Sequence, residues 1–256
     1  MPLTPEEITQ AADLLADARR DHRTLPELPG ALRPRDEASA YAIQHNVARR
    51  LGPVAGWKVG AGGPDEIPTC APLPADRVTA SPARLPAGMF HGIGVEAEIA
   101  FRFARDLPPR DRAYSEAEVL DAVDAAMPAI EIVDGRLADG MKADPLSKLA
   151  DHLVNGAFIH GAPLADWRGR AWTRQPMALS IDGKIVAEAV GGSPVGEPYW
   201  LLVWLANVGA APMGGIRAGE IVTTGSRNPL VFAPPGAKVT ASFPGLGDAE
   251  AEFTAG

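Results

Sequence analysis

The sequence predicts an α+β protein with a mixed, largely antiparallel, β-rich core and an N-terminal helical segment. Two helix signals fall in the first 52 residues, and many short strand-like runs separated by turns follow, with few helices among them. The 27 glycines and 25 prolines suit the many turns of such a fold. We therefore expect a helical segment over residues 1–52 and a β-rich core over residues 53–256.

The helices are predicted from their starts and from the spacing of apolar residues. The segments that begin at Thr4 and Ser115 each carry a glutamate three residues later, which is the pattern of a capping box. Gly52 provides a C-terminal stop for a helix that starts near Asp36. The expected helices cover residues 4–18, 36–51, 115–126 and 198–208.

Short apolar runs bounded by glycine, proline or aspartate predict the strands. One pair forms a hairpin over residues 178–189, because Asp182-Gly183 is a typical tight turn. The other expected strands cover residues 56–60, 95–103, 128–133, 157–159, 220–224, 238–243 and 250–253.

The run Val95–Phe103 places two glutamates on one side of a strand. Side chains alternate across a strand, so the five odd-numbered apolar residues share one face, and Glu96 and Glu98 share the other. Two neighbouring carboxylates repel one another, and a hard divalent cation such as Mg²⁺ or Mn²⁺ would relieve that repulsion. The alternative is a solvated strand face that carries two glutamates.

A third glutamate, Glu131, lies inside the apolar run Ala129–Val133. The run is β-branched and short, which favours a buried strand. A carboxylate in such a run is unfavourable unless it is paired or binds a metal. Arg136 is one possible ion-pair partner. Together, the three glutamates favour a metal site.

Composition excludes several classes of function. The net charge is −8 with no run of Lys or Arg, which disfavours binding to nucleic acid or to an anionic membrane. The N-terminus is acidic rather than apolar, so no signal peptide is expected, and no apolar stretch is long enough to span a bilayer. The single cysteine, Cys70, fits a reducing cytoplasm.

Other residues are candidates for chemistry. Lys58 lies in the apolar strand GWKVG, where burial near a metal would lower its pKa and let it move protons; a solvent-facing edge lysine is the alternative. The segment LADHLVNG sets Asp151, His152 and Asn155 among apolar neighbours. The turn TTGS, residues 223–226, offers hydroxyls and backbone N–H groups that could grip a carboxylate, or it is a plain strand end.

The order of these motifs resembles a known family. The runs GWKVG, EAEIAF, PAIEIVDGR, LADHLVNG and IRAGEIVTTGS are similar to the 2-keto-4-pentenoate hydratase and 4-oxalocrotonate decarboxylase branch of the fumarylacetoacetate hydrolase superfamily. The resemblance spans roughly residues 40–253. It implies a core of the fumarylacetoacetate hydrolase C-terminal type and a Mg²⁺ or Mn²⁺ ion held by Glu96, Glu98 and Glu131.

The resemblance also implies a reaction. We expect water addition to a 2-hydroxy-2,4-dienoate in the catabolism of aromatic meta-cleavage products, with Lys58 and Asp151 in proton transfer. Thr224, Ser226, Asn155 and His152 are the expected substrate-binding residues. The alternatives are decarboxylation of 2-oxo-3-hexenedioate, hydrolysis of an acylpyruvate, and a structural subunit that supports a partner. Glu131 at the third ligand position favours the hydratase and decarboxylase branch over acylpyruvate hydrolases, which usually carry aspartate there.

One segment departs from the branch. Where relatives commonly read Ala-Asp-Asn-(Ala/Gly)-Ser, this chain has His152, Leu153 and Val154 after Asp151. The substrate pocket near Asp151 is therefore expected to differ. Relatives in the superfamily form dimers or larger rings, so we expect a homo-oligomer, with Trp200 or Trp204 at the contact.

Overall fold

The computed structural model describes residues 2–255, which form two β-sheets and a layer of helices. The helices are α1 (Pro5–Arg20), α2 (Glu37–Leu51), α3 (Glu116–Ala122), α4 (Pro145–Ala150) and α5 (Tyr199–Trp204). The strands are β1 (Val54–Gly60), β2 (Thr69–Pro74), β3 (Val78–Ala80), β4 (Ala83–Pro86), β5 (Gly94–Phe103), β6 (Val123–Val133), β7 (Asn155–His160), β8 (Pro176–Ile181), β9 (Lys184–Val190), β10 (Ile221–Ser226), β11 (Val231–Phe232), β12 (Lys238–Phe243) and β13 (Gly247–Thr254).

The larger sheet has eight strands and the smaller has five. In the larger sheet the order is β2-β1-β10-β5-β6-β7-β3, with β11 also paired to β5. The smaller sheet has the order β4-β13-β12-β8-β9. Only the pairs β1–β10, β3–β7 and β4–β13 are parallel among the described strand pairs. The predicted mixed, largely antiparallel α+β fold is confirmed.

Strand β5 lies in the middle of the larger sheet and has the two faces that its alternation predicts. Its odd-numbered apolar residues, from Val95 to Phe103, are fully buried in the main core. That core also contains apolar residues of β12 and β13, among them Val239 and Phe253, so this face of β5 packs toward the smaller sheet. The opposite face carries Glu96 and Glu98, which are therefore held by a rigid central strand.

The N-terminal helices form a second core of their own. α1 begins at the capping box of Thr4 and Glu7, as predicted, and α2 is capped by Asp36. Their buried residues pack together with Leu149 and Ala150 of α4. The first 52 residues thus share their core with a later helix, and the division at residue 52 stays a prediction. No helix within residues 2–255 combines the length and the apolar character needed to cross a membrane.

One predicted helix boundary is wrong, and one predicted helix changes its winding near its end. α3 ends at Ala122 rather than near Ala126, because the chain from Val123 onward pairs with β5, and the sheet takes up its backbone hydrogen bonds. The predicted helix over residues 198–208 is present as α5, but it continues as a wider π-helical turn over Leu205–Gly209. The hairpin β8–β9, with its Asp182-Gly183 turn, forms as expected.

Candidate metal centre and active site

Glu96, Glu98 and Glu131 converge on one face of the larger sheet. Glu96 lies directly opposite Glu131 in the antiparallel pair β5–β6, and Glu98 is two residues further along the same face of β5. One carboxylate oxygen from each glutamate lies within 4.8 Å of the other two. The structure therefore brings together the three residues that the sequence predicts as metal ligands.

This cluster is electrostatically unfavourable. Glu98 and Glu131 are buried, and Glu96 is half-buried. Burial, followed by repulsion from Glu131, raises the pKa of Glu96 to about 7. Burial and the charges of Glu131 and Glu96 raise the pKa of Glu98 to about 8. Glu96 and Glu98 thus resist ionisation, and a cation bound in the cluster would favour their ionised forms.

The hydrogen bonds of Glu131 indicate where such a cation fits. Lys58 Nζ and Asn155 Nδ2 both donate to Oε1 of Glu131, at 2.7 and 2.8 Å. Oε2 is buried, and no donor among the described residues reaches it. A buried carboxylate oxygen without a partner is unfavourable, and a divalent cation would supply the missing partner. The donor set of three carboxylates therefore fits a divalent metal ion.

Lys58 stands at the edge of the cluster as an ammonium. Burial lowers its pKa, but the charges of Glu131, Glu98 and Glu96 outweigh burial, and the net effect is a raised pKa. The sequence-based expectation was a pKa lowered by burial near a metal ion; the structure adds the opposing effect of the three carboxylates that surround the amine. Lys58 Nζ also donates to the carbonyl oxygen of Leu153 at 3.2 Å. Both hydrogen bonds fix the ammonium beside Glu131.

The carbonyl that holds Lys58 belongs to a left-handed turn. His152, Leu153 and Val154 have φ angles of 51°, 50° and 57°. Left-handed backbone is unfavourable for residues other than glycine, and most of all for β-branched valine. These are the positions where the chain departs from the family pattern, so the departure coincides with strained backbone next to the site.

The carboxylate of Asp151 forms an ion pair with Arg136. Its Oδ1 accepts a hydrogen bond from Arg136 Nε at 2.6 Å, and its Oδ2 accepts from the Arg136 backbone N–H at 2.8 Å. Both side chains are buried. The sequence analysis named Arg136 as a possible ion-pair partner of Glu131. In the structure Glu131 forms its ion pair with Lys58 instead. This geometry does not support the predicted part of Asp151 in proton transfer.

The side chains of His152 and Asn155 also form hydrogen bonds with other groups of the protein. The buried His152 ring donates from Nε2 to the carbonyl oxygen of Gln44 in α2, at 3.2 Å. Its expected role in substrate binding finds no support in this arrangement, because the ring faces the helical layer. Asn155 is buried and donates to Glu131. The structure therefore places Asn155 against a candidate metal ligand.

Of the three hydroxyl groups in residues 223–226, two donate hydrogen bonds to backbone carbonyl oxygens and one donates to a glutamate of the cluster. The Ser226 hydroxyl donates to the Asn228 carbonyl oxygen at 2.7 Å, and the buried Thr224 hydroxyl donates to the Ile99 carbonyl oxygen at 3.3 Å. Thr223, the first residue of the predicted turn and not one of the expected substrate-binding residues, donates a hydrogen bond to Glu98. Thr223 lies beside Lys58 in the parallel pair β1–β10, and only that pairing reveals its position.

Comparison with known proteins agrees with this geometry. The chain is 31% identical over 263 residues to a 2-keto-4-pentenoate hydratase of Paraburkholderia xenovorans, covering 98% of this chain and 96% of the relative. It is also 31% identical over 159 residues to a 2-hydroxyhexa-2,4-dienoate hydratase of Comamonas testosteroni, covering 62% and 59% of the two chains.

A solved structure shares the fold. The 4-oxalocrotonate decarboxylase from Pseudomonas putida G7, complexed with magnesium and adipate, superposes with a TM-score of 0.86 at 24% identity, over 98% of each chain. The same enzyme has been solved with calcium and acetate, with a TM-score of 0.85. A family model, "Fumarylacetoacetate (FAA) hydrolase C-terminal", matches residues 41–254. The chain therefore belongs to the fumarylacetoacetate hydrolase C-terminal family.

Proposed function

We propose that this protein is a divalent-metal-dependent hydratase, a hydro-lyase, that adds water to 2-hydroxy-2,4-dienoates and forms 4-hydroxy-2-oxo acids. The observation that carries the proposal is the buried cluster of Glu96, Glu98 and Glu131 with Lys58 at its edge. Near-full-length similarity to a 2-keto-4-pentenoate hydratase supports the same reaction. The corresponding role is in the catabolism of aromatic meta-cleavage products.

Glu96, Glu98 and Glu131 would hold the metal ion. Three carboxylates are a donor set that suits the hard ions Mg²⁺ and Mn²⁺ and leaves other positions of an octahedral ion for water or substrate. When bound, such an ion supplies Lewis-acid polarisation of the 2-oxygen of the substrate. The buried Oε2 of Glu131, which has no hydrogen-bond partner among residues 2–255, is the atom that most needs such an ion.

Lys58 would supply the proton chemistry at the 2-oxygen. An ammonium has three N–H donors, and Glu131 and Leu153 use two of them among the described residues. The third is available for the substrate oxygen, where negative charge develops as the dienol and the 2-oxo form interconvert. The charges of Glu131, Glu98 and Glu96 raise the pKa of Lys58, which favours the ammonium form that this role uses.

A second candidate reaction is decarboxylation of 2-oxo-3-hexenedioate. It is favoured by the high structural similarity to the Pseudomonas putida G7 decarboxylase. Incubation of the Mg²⁺-loaded protein with 2-hydroxypenta-2,4-dienoate and, separately, with 2-oxo-3-hexenedioate distinguishes the two. We expect loss of the dienoate ultraviolet absorbance without CO₂ release. CO₂ release from the dioic acid would favour the decarboxylase, and cleavage of an acylpyruvate would favour a hydrolase.

We also infer a cytoplasmic homo-oligomer, at least a dimer. The single cysteine, Cys70, is free and buried, which suits a reducing compartment and supports the location. Strand β9 lies at the end of its sheet and exposes Ile185 and Val190, an apolar edge that a second copy could cover. Trp200 and Trp204, the predicted contact residues, are only half-buried and pack against the main core.

A further inference from the structure

An arginine lies on the buried face of the first helix. Arg19 follows Leu15 by four residues and Ala16 by three, so it shares the face of α1 that enters the helical core. Its guanidinium donates from Nη1 to the carbonyl oxygen of Asn155 and from Nη2 to that of Gly156, both at 3.1 Å. Among the described residues, its hydrogen-bond partners are thus carbonyl oxygens rather than carboxylates. A cation is seldom buried on carbonyl groups alone, so this contact needs an explanation.

The two carbonyl groups belong to a β-bulge at the start of β7. Glu131 of β6 lies opposite Phe158 of β7, so a regular antiparallel ladder would place Gly156 opposite Val133. Asn155 lies opposite Val133 instead. Strand β7 therefore has one extra residue at this point, which is the definition of a bulge.

The bulge decides which side chain of β7 faces the metal centre. Residues opposite one another in a ladder share a face of the sheet, and side chains alternate along each strand. Without the extra residue, Gly156 would share the face of Glu131, and Asn155 would point to the other face. With it, Asn155 shares that face, and its Nδ2 donates to Oε1 of Glu131 at 2.8 Å. The bulge thus provides Glu131 with an amide donor.

Arginine side chains hold the bulge in this register. A bulge interrupts the ladder, and its buried carbonyl groups need other donors. The Asn155 carbonyl oxygen accepts from Arg19 and also from Arg136 Nη1 at 2.8 Å, and the Gly156 carbonyl oxygen accepts from Arg19. The bulge is tightly packed as well, because a Cβ atom at Gly156 would lie 2.8 Å from the Cβ atom of Asp134. Arg19 is the residue that fixes both peptide planes.

The amide of Asn155 affects metal binding through the orientation of Glu131. It shares Oε1 of Glu131 with Lys58, and Oε2 has no hydrogen-bond partner among residues 2–255. Hydrogen-bond partners of a metal ligand fix its orientation, and their loss weakens metal binding. Unlike Lys58, the amide carries no charge that repels a cation. It therefore orients the carboxylate without opposing the metal ion.

We propose that Arg19 is a positioning residue of the metal centre, because it holds the bulge of β7 in the register that directs Asn155 to Glu131. The N-terminal helical segment thereby contributes to metal binding, although it provides none of the three candidate ligands. This inference rests on the metal centre of the proposed function and does not depend on which reaction the protein catalyses.

The test is titration calorimetry with Mg²⁺ on the full-length protein. Asn155→Leu should weaken Mg²⁺ binding on the order of tenfold, and Arg19→Met should weaken it about fivefold. Arg19→Lys keeps the charge but lacks the planar fork that spans two carbonyl oxygens, so its loss should be intermediate between the parent and Arg19→Met. If Arg19→Met does not fold, Arg19→Lys carries the same comparison. Parental affinity in the folded Arg19 variants would overturn the proposal.

A double-mutant cycle shows whether Arg19 acts through Asn155. In the Asn155→Leu background no amide is left to position, so the added change Arg19→Met should not weaken Mg²⁺ binding further. A purely structural arginine would instead give losses of affinity that multiply in the double variant. That outcome would contradict the proposal.

Two controls separate positioning from general stability. Arg20→Met makes the same chemical change at the next residue, which is exposed, and should leave the Mg²⁺ affinity unchanged. Leu15→Ala loosens the packing of α1 without removing a donor from the bulge. It should lower the urea midpoint of the metal-free protein and leave the Mg²⁺ affinity of the folded protein unchanged. A fall in affinity for Leu15→Ala equal to that for Arg19→Met would show that any loosening of α1 has this effect, and would overturn the specific role of Arg19.

The outcomes also separate this inference from the proposed function. If the parent protein binds no Mg²⁺, the proposed metal centre and this inference are both overturned. If the parent binds Mg²⁺ and Arg19→Met binds it equally well, this inference alone is overturned. If the affinities change as expected but no 2-hydroxydienoate is hydrated, the proposed reaction is overturned and the positioning role of Arg19 is supported.

Discussion

Lys58 Nζ lies 2.7 Å from Oε1 of Glu131, at the point where one ammonium meets three carboxylates. The pair leaves Oε2 of Glu131 without a partner among the described residues. One charge of Lys58 cannot neutralise three carboxylates. Lys58 therefore offsets only part of the negative charge that the three ionised carboxylates would present to a bound cation.

Replacing Glu98 with glutamine should weaken divalent-metal binding. Two unit charges 4 Å apart attract one another by about 4 kcal/mol at an effective dielectric of 20. Because a divalent cation carries two such charges, we expect the loss of the Glu98 carboxylate to weaken metal binding by about a hundredfold or more. Most of the activity should be lost with the metal. Titration calorimetry with Mg²⁺ measures the affinity. Glu188→Gln, at an exposed position of β9, is the control and should bind as the parent does. An unchanged Mg²⁺ affinity in Glu98→Gln would contradict the assignment of Glu98 as a metal ligand.

Replacing Lys58 with methionine should separate metal binding from turnover. Removal of the ammonium beside Glu131 strengthens the attraction for a cation, so metal affinity should rise about tenfold, while kcat falls by about a hundredfold or more. Calorimetry and a dienoate assay measure the two effects. Lys184→Met, on the exposed face of β9, should change neither. A parallel loss of metal affinity and activity would show that Lys58 only supports the fold of the site.

Replacing Asp151 with asparagine should destabilise the protein. The change leaves the buried Arg136 guanidinium without its anion, and breaking such a pair costs about 3 kcal/mol. Asp124→Asn breaks the more exposed pair with Arg102 and should cost less than about 1 kcal/mol. Urea unfolding compares the two. Normal stability with a large fall in kcat in Asp151→Asn would instead support the predicted part of Asp151 in proton transfer.

The two buried histidines, His45 and His152, should each lower the free energy of unfolding as the pH decreases from 7 toward 5, whereas the raised pKa values of Glu96 and Glu98 act in the opposite direction unless a cation keeps these carboxylates ionised. Burial, with a smaller contribution from Arg49, lowers the pKa of His45 to about 4, and burial followed by Arg19 and Arg136 lowers that of His152. Below about pH 6.5 the unfolded chain binds protons that the folded chain does not, so stability is lost, by at most about 1.4 kcal/mol per pH unit for each histidine.

The variant His152→Gln checks this pH dependence. It removes one group that destabilises the folded protein at low pH, so the variant should be more stable at pH 5.5, relative to its own stability at pH 7, than the parent is. Urea unfolding at both pH values measures it. An identical difference in both proteins would show that His152 does not contribute.

Light scattering across a dilution series tests the oligomer. We expect a mass of at least twice the 26.8 kDa of one chain. Val190→Lys, at the exposed edge of β9, should weaken the assembly, because a charge opposes edge-to-edge pairing. A constant monomer mass in the parent protein would overturn the inference.

Local sequence patterns determined most of the architecture. The alternation in Val95–Phe103 fixed which face of β5 enters the core, because side-chain direction in a strand follows the backbone period alone. The capping box at Thr4 and the Asp182-Gly183 turn are equally local, since each needs only residues close in the chain. The motif order, together with these patterns, also identified the three glutamates before any pairing was known.

Tertiary structure decided which side chains meet. Glu131 has Arg136 five residues away, yet it pairs with Lys58 from a strand 73 positions distant in the chain, and Arg136 turns to Asp151. Thr223 joins Glu98 only because β10 lies between β1 and β5. The raised pKa of Lys58 has the same origin, since it depends on charges that strand pairing brings together. Electrostatic and hydrogen-bond partners are set by distance in space, and a sequence pattern describes distance along the chain.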